Sequence, residues 1–123
     1  MAVKIAINGF GRVGRYLIRA CEGYGEIEIV AINSRAKPEI LAHLLKYDSV
    51  HGIFDAKIAV EGDYLVVNGK KILVTNVTKD LNELPWGKLG VDIVMEATGK
   101  FRKKEENAGH IAAGAKKVIL AVP

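Results

Sequence analysis

Three glycines near the start of the chain carry its most specific chemistry. Gly9, Gly11 and Gly14 lie in Lys4-Ile5-Ala6-Ile7-Asn8-Gly9-Phe10-Gly11-Arg12-Val13-Gly14, where an apolar run leads into Gly-x-Gly-x-x-Gly and then a helical pattern. That spacing suits a turn that receives the pyrophosphate of a dinucleotide. Gly9 permits the tight exit from the strand. Gly11 leaves no Cβ between backbone and phosphate, and Gly14 lets the new helix lie close on the strand. The helix N-terminus adds unpaired N–H groups and a partial positive charge. Phe10, between the first two glycines, is counted with the turn. The competing reading is a glycine-rich turn kept for packing alone.

The second candidate set is Asn33, Ser34 and Arg35. In NAD-binding units an acidic residue about 20 positions past the last glycine binds the adenosine ribose hydroxyls. Counting from Gly14 reaches Ser34, with no carboxylate beside it. A hydroxyl and a guanidinium suit a 2′-phosphate, which a carboxylate would repel. The residues therefore favour NADP over NAD. If Arg35 instead points to solvent, dual use follows.

These residues need a scaffold of alternating elements. Ala2 to Ile7 reads as a buried parallel strand. A helix from about Gly11 to Tyr24 follows, with Val13, Tyr16, Leu17, Ala20, Cys21 and Tyr24 on its apolar face. Ile27 to Asn33 is the second strand, completing a βαβ unit. Pro38 opens another helix, with Ile40, Leu41, Leu44 and Leu45 on its apolar face. Lys57 to Glu61, Tyr64 to Val67 and Lys70 to Thr75 read as short strands of an antiparallel insert, joined by Gly62-Asp63 and by the hairpin signal Asn68-Gly69. Val91 to Ala97 is a further parallel strand. Thr98 and Gly99, at its C-terminal end, stand where open α/β sheets bind ligands. Arg102 to Ala113 reads as a helix with Ala108, Ile111 and Ala112 inward and Gly114 as its cap. Lys117 to Val122 begins a last strand. The expected fold is α/β, a Rossmann-type doubly wound parallel sheet of order 3-2-1-4-5 with an antiparallel hairpin insert.

Other reactive side chains read as structural. Cys21 lies on an apolar stripe with nothing to activate it. His43 and His51 lack the neighbours of a ligand set, so no metal site is expected. Glu96 reads as a buried structural acid, and His110 as a packing or surface residue.

Composition narrows the class. The chain has 123 residues, one cysteine, half of its residues hydrophobic and a net charge of +4. The cysteine count and the lack of a secretory leader pattern suit the cytoplasm. There is no apolar run long enough to span a membrane. The positive excess is scattered, as in Lys103-Lys104 before Glu105-Glu106, so nucleic acid is not the expected primary partner. One domain is expected over residues 1–123, and a final strand with an uncovered edge suggests the N-terminal part of a longer protein.

Several stretches together resemble one family. They are Ala-Ile-Asn-Gly-Phe-Gly-Arg-Val-Gly-Arg (6–15), Leu-Ala-His-Leu-Leu-Lys-Tyr-Asp-Ser-Val-His-Gly (41–52), Leu-Pro-Trp (84–86), Glu-Ala-Thr-Gly-Lys-Phe (96–101) and His-Ile-Ala-Ala-Gly-Ala-Lys-Lys-Val-Ile (110–119). The chain resembles the cofactor-binding portion of phosphorylating glyceraldehyde-3-phosphate dehydrogenases. The resemblance implies hydride transfer from an aldehyde, held as a cysteine adduct, to a nicotinamide. It also implies a homotetrameric parent. The family's catalytic cysteine and histidine match nothing here, so cofactor binding without turnover is expected of this chain. Arg12 and Val13 match positions over the cofactor phosphates, and Lys79 a position whose backbone meets the adenine side. Thr98, Gly99 and Phe101 match positions bordering the nucleotide. Ser34 stands where the family usually has Asp, Lys100 where Val or Tyr is common, and Ala121 where Ser or Thr is usual. The alternatives are an erythrose-4-phosphate dehydrogenase cofactor domain and a non-catalytic nucleotide- or RNA-binding Rossmann module.

Overall fold

The computed structural model describes residues 3–21, 25–48, 52–53, 57–77, 81–98 and 104–120. The chain begins with strand β1 (Val3–Asn8), helix α1 (Arg12–Cys21), strand β2 (Ile27–Asn33) and helix α2 (Pro38–Lys46). Two short strands, β3 (Tyr47–Asp48) and β4 (Gly52–Ile53), pair with each other. Strands β5 (Ile58–Glu61), β6 (Tyr64–Val67) and β7 (Lys70–Thr75) follow. A 3-10 turn at Leu81–Glu83 leads to helix α3 (Trp86–Leu89), strand β8 (Ile93–Glu96), helix α4 (Lys104–Ala112) and strand β9 (Lys117–Leu120).

Seven of these strands form one sheet in the order β5-β6-β7-β2-β1-β8-β9. β1 pairs in parallel with β2 and β8, β2 with β7, and β8 with β9. The sheet thus has the doubly wound plan expected, with one difference in detail. The hairpin strands do not form a separate insert. β7 pairs antiparallel with β6, yet its other edge pairs in parallel with β2. Every strand has two hydrogen-bonding edges, so one strand can close a hairpin and extend a parallel sheet at once. The Asn68-Gly69 turn behaves as its sequence demands, with positive φ at both residues (50° and 82°).

Alternation along the strands sends neighbours to opposite faces. Ile7 and Ile32 join Ile18 of α1 and Leu41 and Leu45 of α2 in one core. Ala6 and Ala31 join Trp86, Leu81 and Val94 in the other. Each fully buried leucine contributes about 1.5–3 kcal/mol. Three helix faces depart from the periodicity reading. On α1 the buried residues among those described are Gly14 and Ile18, while Tyr16 and Ala20 face outward. On α2 Ile40 and Leu44 are exposed. On α4 Ala108, Ile111 and Ala112 are exposed, and among the described side chains His110 is the buried one. A small residue explains α4: a Cβ on Gly109 would lie 2.7 Å from Leu81 Cβ, so the helix docks by its glycine against the 3-10 turn.

Candidate dinucleotide site

β1 lies between β2 and β8, so the chain leaves it in one direction and both neighbours end beside it. Ligands of open α/β sheets bind at such a switch point, beyond the carboxyl ends of the strands. A cleft of about 280 Å³ opens there. Gly9, Phe10, Gly11, Asn33, Ser34, Arg35 and Thr98 line it, bringing together seven of the residues selected from sequence. Gly14 is not part of the lining. Arg12 and Val13 belong to the first turn of α1, and their side chains lie outside the described set, as do residues Lys79, Gly99 and Phe101.

Each glycine has a distinct role. Gly9 has φ +99°, and a Cβ there would meet the Thr98 backbone nitrogen at 2.9 Å. Gly14 presses α1 onto the turn, with its built Cβ 2.6 Å from the Gly9 carbonyl oxygen. Gly11 is the opposite case: nothing lies within 4 Å of its Cβ position. Space beside a backbone that opens α1 fits a pyrophosphate, which needs close approach and helix N–H donors. At the far rim Ser34 is half-buried and Arg35 exposed. Ser34 Oγ accepts a hydrogen bond from the Ala36 N–H at 3.2 Å. The hydroxyl proton stays available to an acceptor.

Beneath the cleft runs a feature that periodicity did not disclose. Register places Thr75, Asn33, Asn8 and Glu96 side by side across β7, β2, β1 and β8. Their side chains are linked in that order. Thr75 Oγ1 donates to Asn33 Oδ1 at 2.8 Å, Asn33 Nδ2 to Asn8 Oδ1 at 2.8 Å, and Asn8 Nδ2 to Glu96 Oε1 at 2.6 Å. Asn33 also holds Val77, donating to its carbonyl at 2.7 Å and accepting from its N–H at 2.8 Å. Glu96 Oε2 accepts from the Thr98 hydroxyl at 2.6 Å and from its N–H at 3.1 Å.

The row ends on α4 and α3. His110 Nε2 lies 2.9 Å from Glu96 Oε1, and Trp86 Nε1 lies 2.9 Å from His110 Nδ1. An indole N–H can only donate, so Nδ1 carries the lone pair and the ring proton sits on Nε2. The contact is therefore a neutral imidazole donating to a carboxylate. His110 is 0% exposed and Glu96 1%, which replaces the packing-or-surface reading of His110 with a hydrogen-bonding one. Burial alone would push the Glu96 carboxyl up. Hydrogen bonds from His110, Thr98 and Asn8 outweigh it and hold the group below its ordinary value. Asn8, Asn33, Glu96 and His110 are the buried polar residues among those described, and all four belong to this one row. Sequence did offer a clue to Asn8: a polar residue closing a buried strand just before the first glycine.

Against this geometry stand the comparisons with known proteins. A family model described as "Glyceraldehyde 3-phosphate dehydrogenase, NAD binding domain" matches residues 3–104. The chain belongs to that family. Within it, the chain is 55% identical over its whole length to the glyceraldehyde-3-phosphate dehydrogenase of Geobacillus stearothermophilus. It is 52% identical to glyceraldehyde-3-phosphate dehydrogenase 2 of Bacillus subtilis (strain 168), and 51% to the Salmonella typhimurium enzyme. It spans 36–37% of the length of these relatives. The described part of the chain is thus a glyceraldehyde-3-phosphate dehydrogenase NAD-binding domain, with a cleft at the switch point of its sheet. Cys21 is half-buried on α1, and burial raises its thiol pKa, which suits a packing role. Among the described residues no helix is long and apolar enough to cross a membrane.

Proposed function

We infer that residues 1–123 act as the cofactor domain of a phosphorylating glyceraldehyde-3-phosphate dehydrogenase, and that NADP is bound in preference to NAD. The bound dinucleotide supplies the hydride acceptor. This chain's residues bind and orient it. Gly9, Phe10, Gly11 and the start of α1, with Arg12 and Val13, receive the pyrophosphate. Asn33, Ser34, Arg35 and Lys79 take the adenosine end, and Thr98, Gly99 and Phe101 border the nucleotide. Whole-chain identity to dehydrogenases supports the reaction. The same resemblance supports a homotetramer for the whole protein, and the single cysteine suits a cytoplasmic one.

The observation that carries the cofactor preference is the rim itself. Ser34 and Arg35 line the cleft, and among the described residues no carboxylate does. A guanidinium–phosphate hydrogen bond is worth about 1.5–3 kcal/mol, roughly ten- to a hundredfold in affinity. Calorimetric titration with NADP and NAD, repeated on Arg35→Ala, tests it. Tighter NADP binding that the substitution abolishes is expected. Equal binding, or tighter NAD binding as the family model's description would suggest, overturns the preference. Salt-steep polynucleotide binding without dinucleotide binding would overturn the cofactor reading.

A further inference from the structure

Trp86 and His110 do not line the cleft, and no glycine motif points to them. Both are fully buried on the far side of Glu96. Their hydrogen bonds nevertheless end on the cleft wall. Glu96 takes two donors on each carboxylate oxygen: Asn8 and His110 on Oε1, and the hydroxyl and N–H of Thr98 on Oε2. A carboxylate offers about four acceptor sites, so this one is filled and its orientation determined. Thr98, Asn8 and Asn33 all line the cleft.

We propose that Trp86 and His110 are positioning residues for the dinucleotide, holding Glu96 so that it fixes Thr98 on one wall of the cleft and Asn8 at its floor. The inference rests on the cofactor reading above. Trp86 selects the Nε2–H form of His110, because a proton on Nδ1 would face the indole N–H. Only that form donates to Glu96. Without the indole donor the ring can place its proton on either nitrogen. Glu96 then loses one of its two Oε1 donors for part of the time, and Thr98 samples more than one orientation. A site whose competent form is populated only in part binds more weakly by that fraction.

The test compares the chain with Trp86→Phe, His110→Leu and His110→Gln. Trp86→Phe keeps an aromatic ring and removes the donor. His110→Gln keeps one acceptor and one donor, whereas His110→Leu keeps neither. Titrations with NAD and NADP are made under conditions where thermal unfolding shows each variant folded. Trp86→Phe and His110→Leu should weaken binding at least about fivefold, the effect of one ordinary hydrogen bond, and His110→Gln should recover most of it. Nitrogen-15 spectra should show the ring proton on Nε2 of the parent chain, and Thr98 amide exchange should accelerate in Trp86→Phe. Unchanged affinity in folded Trp86→Phe, a glutamine variant no better than leucine, or a ring proton on Nδ1 overturns the proposal. If His110→Leu does not fold, Trp86→Phe decides alone. Should the parent chain bind neither dinucleotide, the cofactor reading fails. Thr98 exchange still reports the brace in that case, and an unaltered rate in Trp86→Phe overturns it.

Discussion

Gly14 lies so close under the phosphate turn that a methyl group on it would sit 2.6 Å from the carbonyl oxygen of Gly9. The obstructing atom is backbone in the most constrained turn of the molecule, and Ile7 Cγ2 blocks the other side at 3.3 Å. Gly14→Ala should therefore push α1 off β1. The expected loss is about 1–3 kcal/mol of stability, the usual cost of overpacking. Denaturant titration of the variant beside the parent chain checks it, and an unshifted midpoint would show that the helix can slide freely.

Gly11→Ala should do the reverse. Its Cβ position is open and its φ is not positive, so stability should stay within about 0.5 kcal/mol of the parent. The new methyl stands where we place the pyrophosphate. Dinucleotide affinity should fall at least about tenfold, since a displaced phosphate loses charge-assisted hydrogen bonds. A Gly11→Ala chain that binds normally would move the phosphate elsewhere.

Glu96 makes stability sensitive to acid. Its folded pKa lies below the ordinary 4.5. Its contribution is therefore full above that unfolded value and is lost as pH falls through the lowered folded one. Unfolding free energy should decline on acidification from about pH 4.5 downward. Glu96→Gln should destabilise the chain at neutral pH by about 2–3 kcal/mol, because its amide N–H₂ would face donors where the carboxylate offered acceptors. The same variant should show a shallower acid decline. Equal acid slopes in the two proteins would remove Glu96 as the cause.

Ser34→Asp probes the rim from the opposite direction to Arg35→Ala. The aspartate can keep the Ala36 N–H bond that Ser34 Oγ accepts. It would repel a 2′-phosphate and accept hydrogen bonds from a free ribose. The ratio of NADP to NAD affinity should drop at least about tenfold, since like charges brought together cost several kcal/mol. A constant ratio in paired titrations would place the 2′ position away from Ser34.

The glycine turn and the Asn33-Ser34-Arg35 rim were legible because both are local. Their placement in one cleft depends on spacing along one strand–helix or strand–loop joint. The Thr75–Asn33–Asn8–Glu96 row was not legible, since Asn8 and Glu96 are 88 positions apart and only sheet register makes them neighbours. The inward face of α4 was misread for a related reason. Alanine and isoleucine suggested a buried stripe, but Gly109 and the bonds of His110 decide how the helix docks. On α1, the small Gly14 sets the buried face and the larger Tyr16 turns outward.

The double membership of β7 turns the hairpin into a ruler. Val67 faces Lys70 across the Asn68-Gly69 turn, and five residues after Lys70 the same strand delivers Thr75 opposite Asn33. A strand shifted by one residue shows its other face. One residue added to that turn would thus be read out at the far end of β7, where Thr75 would leave Asn33 and the cleft floor would lose its first link. The length of a surface turn thereby becomes part of the specification of the binding site.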